Sequence, residues 1–265
     1  MSSLSRTIKS GDIWRDELSK WAIPQAILDQ APENPWIHPP AMFQIPAHIE
    51  DSPSHQRARE VLSEGATVLD IGCGGGIAAF ALTPPASHVI GIDHQPEMLT
   101  MFAANAEARG VTSQTVDGFW PDVESVTPIA DVAMAHHVVY NVQNIEDFLI
   151  AMNAHATKRV VLELPQRHPL NAATPLWKHF WNIDRPTGPS PEVLISVLSE
   201  LGFDAKIELW NGQMRQEPNL ELEAHYSRIR LCLPESREGE VMDFLKQSPK
   251  VKIRELATIW WDVRK

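Results

Sequence analysis

One segment of this 265-residue chain carries a stronger structural signal than any other, and it reads Val68-Leu69-Asp70-Ile71-Gly72-Cys73-Gly74-Gly75-Gly76. A short apolar run of this kind is typical of a buried strand, and the glycines that follow predict a tight turn. Glycine permits positive φ angles and lets a ligand approach the main chain closely. A helix is predicted at residues 76–82, and its N-terminus offers unpaired N–H groups to a ligand. The segment therefore predicts a strand–turn–helix unit, either with a ligand at the turn or as a tight connection without one.

Outward from this unit, the chain alternates between strand and helix patterns. Strands are predicted at residues 66–71, 88–93, 112–117, 131–135, 159–164, 203–210 and 254–263. Helices are predicted at residues 54–63, 76–82, 96–109, 145–155 and 191–201. Strands separated by helices at this spacing predict a largely parallel α/β sheet with right-handed crossovers.

Two segments lie outside that alternation. Residues 1–50 are interrupted by prolines and carry three tryptophans, which predicts an N-terminal cap with short helices near residues 13–21 and 24–29. Residues 219–247 have helical periodicity and predict a helical insertion between the sixth and seventh strands that acts as a lid. The main domain is then residues 51–265.

Composition limits the classes of partner. The formal net charge is −11, and a broadly acidic surface repels nucleic-acid backbones. The basic residues near the C-terminus are interleaved with acids and predict a solvated helical face; they are Arg228, Arg230, Arg237 and Lys246. No apolar run is long enough for a membrane span, and no signal peptide is recognisable.

The number and spacing of the cysteines help to predict the cellular compartment of the protein and whether it binds a metal ion. Cys73 and Cys232 are the only cysteines, and Cys73 lies inside the glycine turn, where a reduced thiol is the simpler interpretation. This favours a cytoplasmic protein. No Cys/His spacing suggests a metal site.

Acidic residues end the second and third predicted strands. Asp93 would lie at the same sheet edge as the glycine turn, where a carboxylate can accept both hydroxyl protons of a ribose. Asp117 can accept a hydrogen bond from an adenine amino group, and Phe119 can stack on the ring. The structural alternatives are a helix cap for Asp93 and an ordinary Asp-Gly turn for Asp117 and Gly118.

The spacing of the glycines separates two cofactor classes. Dinucleotide-binding enzymes use G-x-G-x-x-G, and Gly72 and Gly74 fit the first two positions. Ile77 occupies the third. Together with Asp70 just before the turn, this mismatch favours a nucleoside-type ligand over a pyrophosphate.

Taken together, these motifs resemble the class I, seven-stranded methyltransferases that use S-adenosylmethionine. The resemblance covers residues 55–210 and the last strand, and it rests mainly on the VLDIGCGGG segment. It implies a Rossmann-like sheet of order 3-2-1-4-5-7-6 with the last strand antiparallel. It also implies that Asp70 and the turn Gly72, Cys73 and Gly74 hold the methionine and ribose, Asp93 the ribose, and Asp117 with Phe119 the adenine. The other predicted cofactor-binding residues are His94, Gly118 and His136.

Candidate catalytic residues follow the fourth strand. His136, His137 and Tyr140 lie beyond a strand end, where an acceptor would meet the methyl group. Neighbouring residues on a strand point to opposite sides, so we predict that His137 faces the acceptor and that His136 holds the loop. The structural alternative is that either histidine closes a loop hydrogen bond and Tyr140 packs on the next helix. Trp177 and Trp181, four residues apart, belong either to the core or to an acceptor pocket.

The predicted function is methyl transfer from S-adenosylmethionine to a small-molecule acceptor. The Asp/Asn-Pro-Pro-aromatic motif of nucleic-acid amino methyltransferases is replaced by His-His-Val-Val, which argues against DNA amino methylation. Two other functions stay open: a non-catalytic protein that binds S-adenosylmethionine, and a nicotinamide-dependent oxidoreductase. A protein or RNA acceptor also stays open, as does the oligomeric state.

Overall fold

The sheet is built around strand β1, Ala66–Ile71, which is buried from end to end apart from Thr67. The computed structural model of the protein describes residues 9–36, 43–46, 48–213, 219–249 and 253–264. Of the predicted N-terminal cap, residues 1–8, 37–42 and 47 lie outside the described residues. Within the described ranges no helix combines the length and apolar character needed to cross a bilayer.

Seven strands and ten α-helices make up the described fold. The strands are β1 (Ala66–Ile71), β2 (Ala86–Asp93), β3 (Thr112–Asp117), β4 (Ala130–His136), β5 (Ala156–Pro165), β6 (Lys206–Gln213) and β7 (Ile253–Asp262). The helices are α1 (Ser10–Ser19), α2 (Gln25–Leu28), α3 (Pro53–Arg59), α4 (Ile77–Phe80), α5 (Pro96–Ala108), α6 (Ile145–Ala154), α7 (Thr174–Trp181), α8 (Pro191–Glu200), α9 (Leu220–Arg230) and α10 (Glu238–Gln247).

The strand order is β3-β2-β1-β4-β5-β7-β6, as the resemblance implied. The first five strands pair in parallel, and β7 runs antiparallel to both β5 and β6. The carboxyl ends of β1 to β6 therefore meet at one edge of the sheet. In open α/β sheets ligands bind beyond this edge, so the topology fixes where a site can be built.

Helices cover both faces of the sheet. Leu69 and Ile71 of β1 pack into the larger core with residues of α1, α6 and α8. Val68 points to the opposite face and packs with residues of α3 and α4. A strand buried on both faces reads as a continuous apolar run rather than an alternating one, which is the pattern seen in the sequence.

Sequence and structure differ mainly at element ends. Helix α4 is only four residues long, because Gly76 precedes it at φ +93° and prolines follow at positions 84 and 85. Strand β6 starts three residues later than predicted and extends to Gln213. The connection at residues 165–189 contains α7, which carries Trp177 and Trp181. Ser52 is the N-cap of α3, since His55 N donates to its hydroxyl and Ser52 N donates to His55 Nδ1.

A second, smaller core joins three distant parts of the chain, and we call it the accessory core. Its buried residues come from α2 and the segment just before it, from α7 and from the α9–α10 insertion, and they are Ile23, Ile27, Leu176, Trp177, Ala224, Leu231, Cys232, Leu233 and Val241. The insertion follows the carboxyl end of β6, and the connection carrying α7 follows that of β5. The accessory core is thus attached at the ligand edge of the sheet.

The prediction of a solvated basic face is wrong for Arg228, which is 2% exposed. Its guanidinium donates to Glu33 Oε1 at 2.5 Å, Glu238 Oε2 at 3.0 Å and Leu233 O at 3.0 Å. A buried cation is tolerated when its donors are satisfied and a carboxylate faces it. Arg228 therefore ties the insertion to the N-terminal segment.

The glycine positions generate a stability prediction. An alanine at position 76 would have to adopt φ +93°, and its Cβ would lie 2.3 Å from Phe80 Cε2. Left-handed strain and overpacking together should lower the free energy of unfolding of Gly76→Ala by about 2–4 kcal/mol. Urea denaturation of the full chain measures this.

Two other glycines serve as matched controls. Gly110 also has positive φ, at +66°, but a Cβ there meets nothing within 4 Å, so Gly110→Ala should cost only the strain of about 1–2 kcal/mol. Gly239, within α10, has neither problem, so Gly239→Ala should be neutral or stabilising by up to about 1 kcal/mol. Equal changes in the free energy of unfolding for the three variants would contradict the close packing described around Gly76.

Candidate functional site

The glycine turn between β1 and α4 forms the centre of the candidate site. Gly72 and Gly74 have φ angles of +67° and +50°, which L side chains rarely adopt. Cys73 N donates to Ile92 O at 2.9 Å, so the turn is attached to β2. On its other side, a Cβ at Gly72 would lie 2.6 Å from Val138 Cγ2. The turn is therefore held between the ends of β2 and β4.

Asp93 joins the turn to the ends of β2 and β3. Its Oδ2 accepts a hydrogen bond from Gly74 N at 3.0 Å, and its Oδ1 accepts one from Gln95 N at 3.0 Å. Asp117 is its register partner on β3, and Gly118 N donates to Asp93 O at 3.1 Å. Each carboxylate oxygen has a second lone pair, so Asp93 can still accept hydrogen bonds from a ligand.

An aromatic pair lies next to these carboxylates. The rings of His94 and Phe119 stack with centroids 4.5 Å apart and an interplanar angle of 19°. Phe119 is 62% exposed, which is unusual for so large an apolar side chain. An exposed flat ring beside a hydrogen-bond acceptor such as Asp117 has the chemistry needed to hold a purine.

Asp70 and Cys73, predicted to bind the cofactor, have buried side chains. Asp70 Oδ2 accepts from Ala79 N at 3.2 Å, which fixes α4 on the end of β1. Burial, and then the nearby charge of Asp93, raise the pKa of Asp70 to about 7. Burial likewise raises the pKa of the Cys73 thiol. A direct cofactor contact by either side chain stays a prediction.

The two predicted histidines converge on one carboxylate, Glu163 of β5. His137 Nε2 lies 3.1 Å from Glu163 Oε1, and His136 Nδ1 lies 3.9 Å from Oε2. They can approach the same group because His137 leaves the extended conformation at φ +61°. The alternation of side chains along β4 therefore ends at His136, which is buried, whereas the His137 side chain is 34% exposed.

Glu163 is a site residue that the sequence analysis missed. It is buried, and its Oε2 accepts from the Ser52 hydroxyl at 3.1 Å. Burial alone would raise its pKa, but His136, His137 and the Ser54 hydroxyl lower the pKa of Glu163 below its usual value. In the sequence, Glu163 stands out as the single acidic residue inside the apolar run that ends at Pro165.

His55 extends the same cluster from α3. Its ring stacks on His136 with centroids 5.5 Å apart. Burial lowers the pKa of His55, and burial lowers that of His136 to about 3, so both are neutral near pH 7. Among the residues that the structure describes, no group of three or more His, Cys, Asp or Glu side chains is arranged to hold a metal ion.

Tyr140, the third predicted catalytic residue, packs against the larger core. Its ring lies 5.5 Å from that of His168, which in turn stacks on Trp21 at 4.0 Å. Burial raises the pKa of Tyr140, so it is a protonated phenol at neutral pH. The structure thus brings Tyr140 to the same edge as the histidines but adjacent to the N-terminal segment.

Comparison with known proteins agrees with this geometry. Residues 68–158 match the family model of a methyltransferase domain. The YcgJ protein of Bacillus subtilis superposes with a TM-score of 0.55 at 16% identity, covering 80% of this chain and 98% of its own. A Bacillus halodurans protein assigned to the methyltransferases gives a TM-score of 0.56 at 17% identity, with 81% and 100% covered. The family model thus covers about a third of this chain, and the seven-stranded sheet has the strand order of the class I, Rossmann-like methyltransferase fold.

The curated relatives that match include ribosomal protein L11 methyltransferases. The one from Dechloromonas aromatica (strain RCB) is 34% identical over 122 residues, which is 44% of this chain and 39% of that protein. The one from Vibrio campbellii (strain ATCC BAA-1116) is 44% identical over 73 residues, or 27% of this chain and 24% of that protein. The chain thus matches well under half the length of these relatives.

The buried histidines generate a pH prediction. Burial, and then Arg185, lower the pKa of His168 to about 4. An unfolded histidine titrates near about 6.5, so below that pH the unfolded chain binds protons that the folded chain does not. The free energy of unfolding should therefore fall as the pH drops from about 6.5 towards 4. At pH 5 the loss should be about 2 kcal/mol for each of His136 and His168.

Substitution of His168 measures its contribution to the pH dependence of the free energy of unfolding. His168→Asn keeps an acceptor for Leu170 N and should reduce the stability loss between pH 7 and pH 5 by about 2 kcal/mol, as measured by urea denaturation. Asn171→Ala loosens the same turn without removing a titratable group, so it should lower stability equally at both pH values. An unaltered pH dependence in His168→Asn would show that His168 is not the group responsible.

Proposed function

We propose that the chain binds S-adenosylmethionine at the glycine turn and transfers its methyl group to a small-molecule acceptor. The observation that carries the proposal is the contact of Gly74 N with Asp93 Oδ2, which holds the turn beside the paired acids Asp93 and Asp117. Glycine turn, ribose acceptor and exposed aromatic pair lie in sequence along one sheet edge. This is the order in which the methionine, ribose and adenine of the cofactor would be met.

The residues present fit the chemistry of that cofactor. Asp93 has lone pairs for the two ribose hydroxyls, and Asp117 with Phe119 offers an acceptor and a flat ring for the adenine. The cofactor supplies an activated methyl group on a sulfonium. The protein therefore has to hold the acceptor in line behind that methyl group and exclude competing water, which can contribute about 7–11 kcal/mol through proximity and orientation.

We further propose that the N-terminal segment and the α9–α10 insertion form the acceptor pocket and partly cover the cofactor. The support is that both belong to the accessory core, which follows the carboxyl ends of β5 and β6. Arg228 binds them to one another through Glu33. A small acceptor suits such a covered edge, whereas a protein acceptor, suggested by the L11 methyltransferase relatives, needs an open one.

The first test is cofactor binding. Calorimetry on the full chain should give micromolar dissociation constants for S-adenosylmethionine and S-adenosylhomocysteine, about −8 kcal/mol, and far weaker binding of NAD. Preference for NAD would replace this proposal with a nicotinamide-dependent oxidoreductase.

Incubation with methyl-labelled cofactor and a metabolite extract, or separately with ribosomal protein, identifies the acceptor. Label on protein alone would overturn the small-molecule proposal. Binding without any turnover would leave a non-catalytic binding protein.

The second test removes the ribose acceptor. Asp93→Ala should weaken S-adenosylmethionine binding by about 10- to 100-fold, because charge-assisted hydrogen bonds of this kind contribute about 1.5–3 kcal/mol. Asp204→Ala is a matched control, since Asp204 is an exposed carboxylate that forms an ion pair with Arg264 and follows α8 rather than the carboxyl end of a strand. Circular dichroism checks folding, and unchanged affinity in folded Asp93→Ala would reduce Asp93 to a turn-stabilising residue.

A further inference from the structure

A single residue of β5 holds His137 at two points. His137 N donates to the Glu163 carbonyl oxygen at 2.7 Å, and His137 Nε2 meets Glu163 Oε1 at 3.1 Å. The first contact fixes the backbone where it turns to φ +61°, and the second fixes the imidazole ring. A histidine with both its backbone and its ring fixed has little freedom to choose another partner.

This contact also determines where the ring carries its proton. Ionised Glu163 can only accept hydrogen bonds, so His137 Nε2 must be the protonated nitrogen. In the neutral ring Nδ1 then has the free lone pair. His137 Nδ1 is buried and has no hydrogen-bond partner among the described residues. A buried acceptor without a partner costs free energy, and such groups are concentrated where a ligand completes them.

His137 is adjacent in sequence to a residue that contacts the glycine turn. The next residue, Val138, packs against Gly72, so His137 is one residue away from the contact that holds the glycine turn. Other titratable groups that interact with Glu163 are His136, His55 and Tyr140, and Arg254 interacts with Tyr140. The side chains of His55 and His136 are only 6% and 8% exposed. Of the three clustered imidazoles, His137 is the most exposed and the one in hydrogen-bond contact with Glu163.

We infer that Glu163 is a positioning residue that fixes His137 as the Nε2–H tautomer, so that Nδ1 removes a proton from a hydroxyl group of the acceptor. The inference rests on the proposed methyl transfer and names its acceptor class. The acceptor O–H bond breaks, the proton joins Nδ1, and the electron pair stays on oxygen. That oxygen bonds to the methyl carbon as the carbon–sulfur bond breaks towards sulfur. The imidazolium, stabilised by the Glu163 carboxylate, then releases its proton to water.

Nuclear magnetic resonance of the full chain labelled with ¹⁵N-histidine tests the tautomer without any turnover. In the unaltered protein the His137 signals should show a proton on Nε2 and none on Nδ1. Glu163→Gln can present an amide N–H to the ring and should convert His137 partly to the Nδ1–H form. Glu208→Gln, which removes a carboxylate bound to Arg57, should change nothing at His137. A proton on Nδ1 in the unaltered protein, or the same tautomer in Glu163→Gln, would overturn the inference.

Methyl transfer provides a second readout. With ¹³C-methyl cofactor and metabolite extract, the product methyl should be an ether methyl, and methyl on nitrogen, sulfur, carbon or a carboxylate would refute the acceptor class. Glu163→Gln and His137→Asn should lower label incorporation by about 10²-fold with cofactor affinity kept within about twofold. Asparagine is chosen because it tolerates positive φ. Failure of cofactor binding would count against the proposed function, whereas intact binding with unaltered rates would count against the inference alone.

Discussion

The hydrogen bond from Gly74 N to the Asp93 carboxylate is the constraint on which the candidate site depends. It ties the turn after β1 to the end of β2, and through the Asp93 carbonyl oxygen to Gly118 after β3. Three strand ends are thereby held in one register. The sheet alone does not achieve this, because parallel pairing fixes the strands but leaves the loops beyond them free. A cofactor that contacts all three ends meets an arrangement formed before it binds.

A second carboxylate, Glu163, organises the neighbouring strands in a different way. Among the described residues, the groups in hydrogen-bond contact with it are hydroxyls and imidazoles rather than a lysine or arginine. Hydrogen-bond donors around Glu163 stabilise its buried carboxylate. The negative charge of that carboxylate can then stabilise an imidazolium that forms nearby. The pattern differs from that of Arg228, whose charge is matched by Glu33 and Glu238 and is fully used in holding the accessory core together.

Local sequence patterns predicted the sheet but not the partners of its polar residues. The bounds of β1 and β3 match the prediction residue for residue, because glycines lie close to both ends of each strand and β1 is also an apolar run. Glu163 and Arg228 were missed or misread for the opposite reason. Ser52 is 111 residues from Glu163, and Glu33 is 195 residues from Arg228. No short window contains both members of such a pair, so burial and pairing emerge only from the folded chain.

The accessory core also has a consequence for the order of folding. Its N-terminal members leave the ribosome roughly 200 residues before α9 and α10, whereas the pairings of β1 with β2 and β4 close much earlier. Contacts between such distant segments carry a large loop-closure entropy and form late. We therefore expect the covering of the ligand edge to assemble last during folding and to open first in native-state fluctuations. A region that opens without unfolding the sheet gives small molecules a route in and out of the edge.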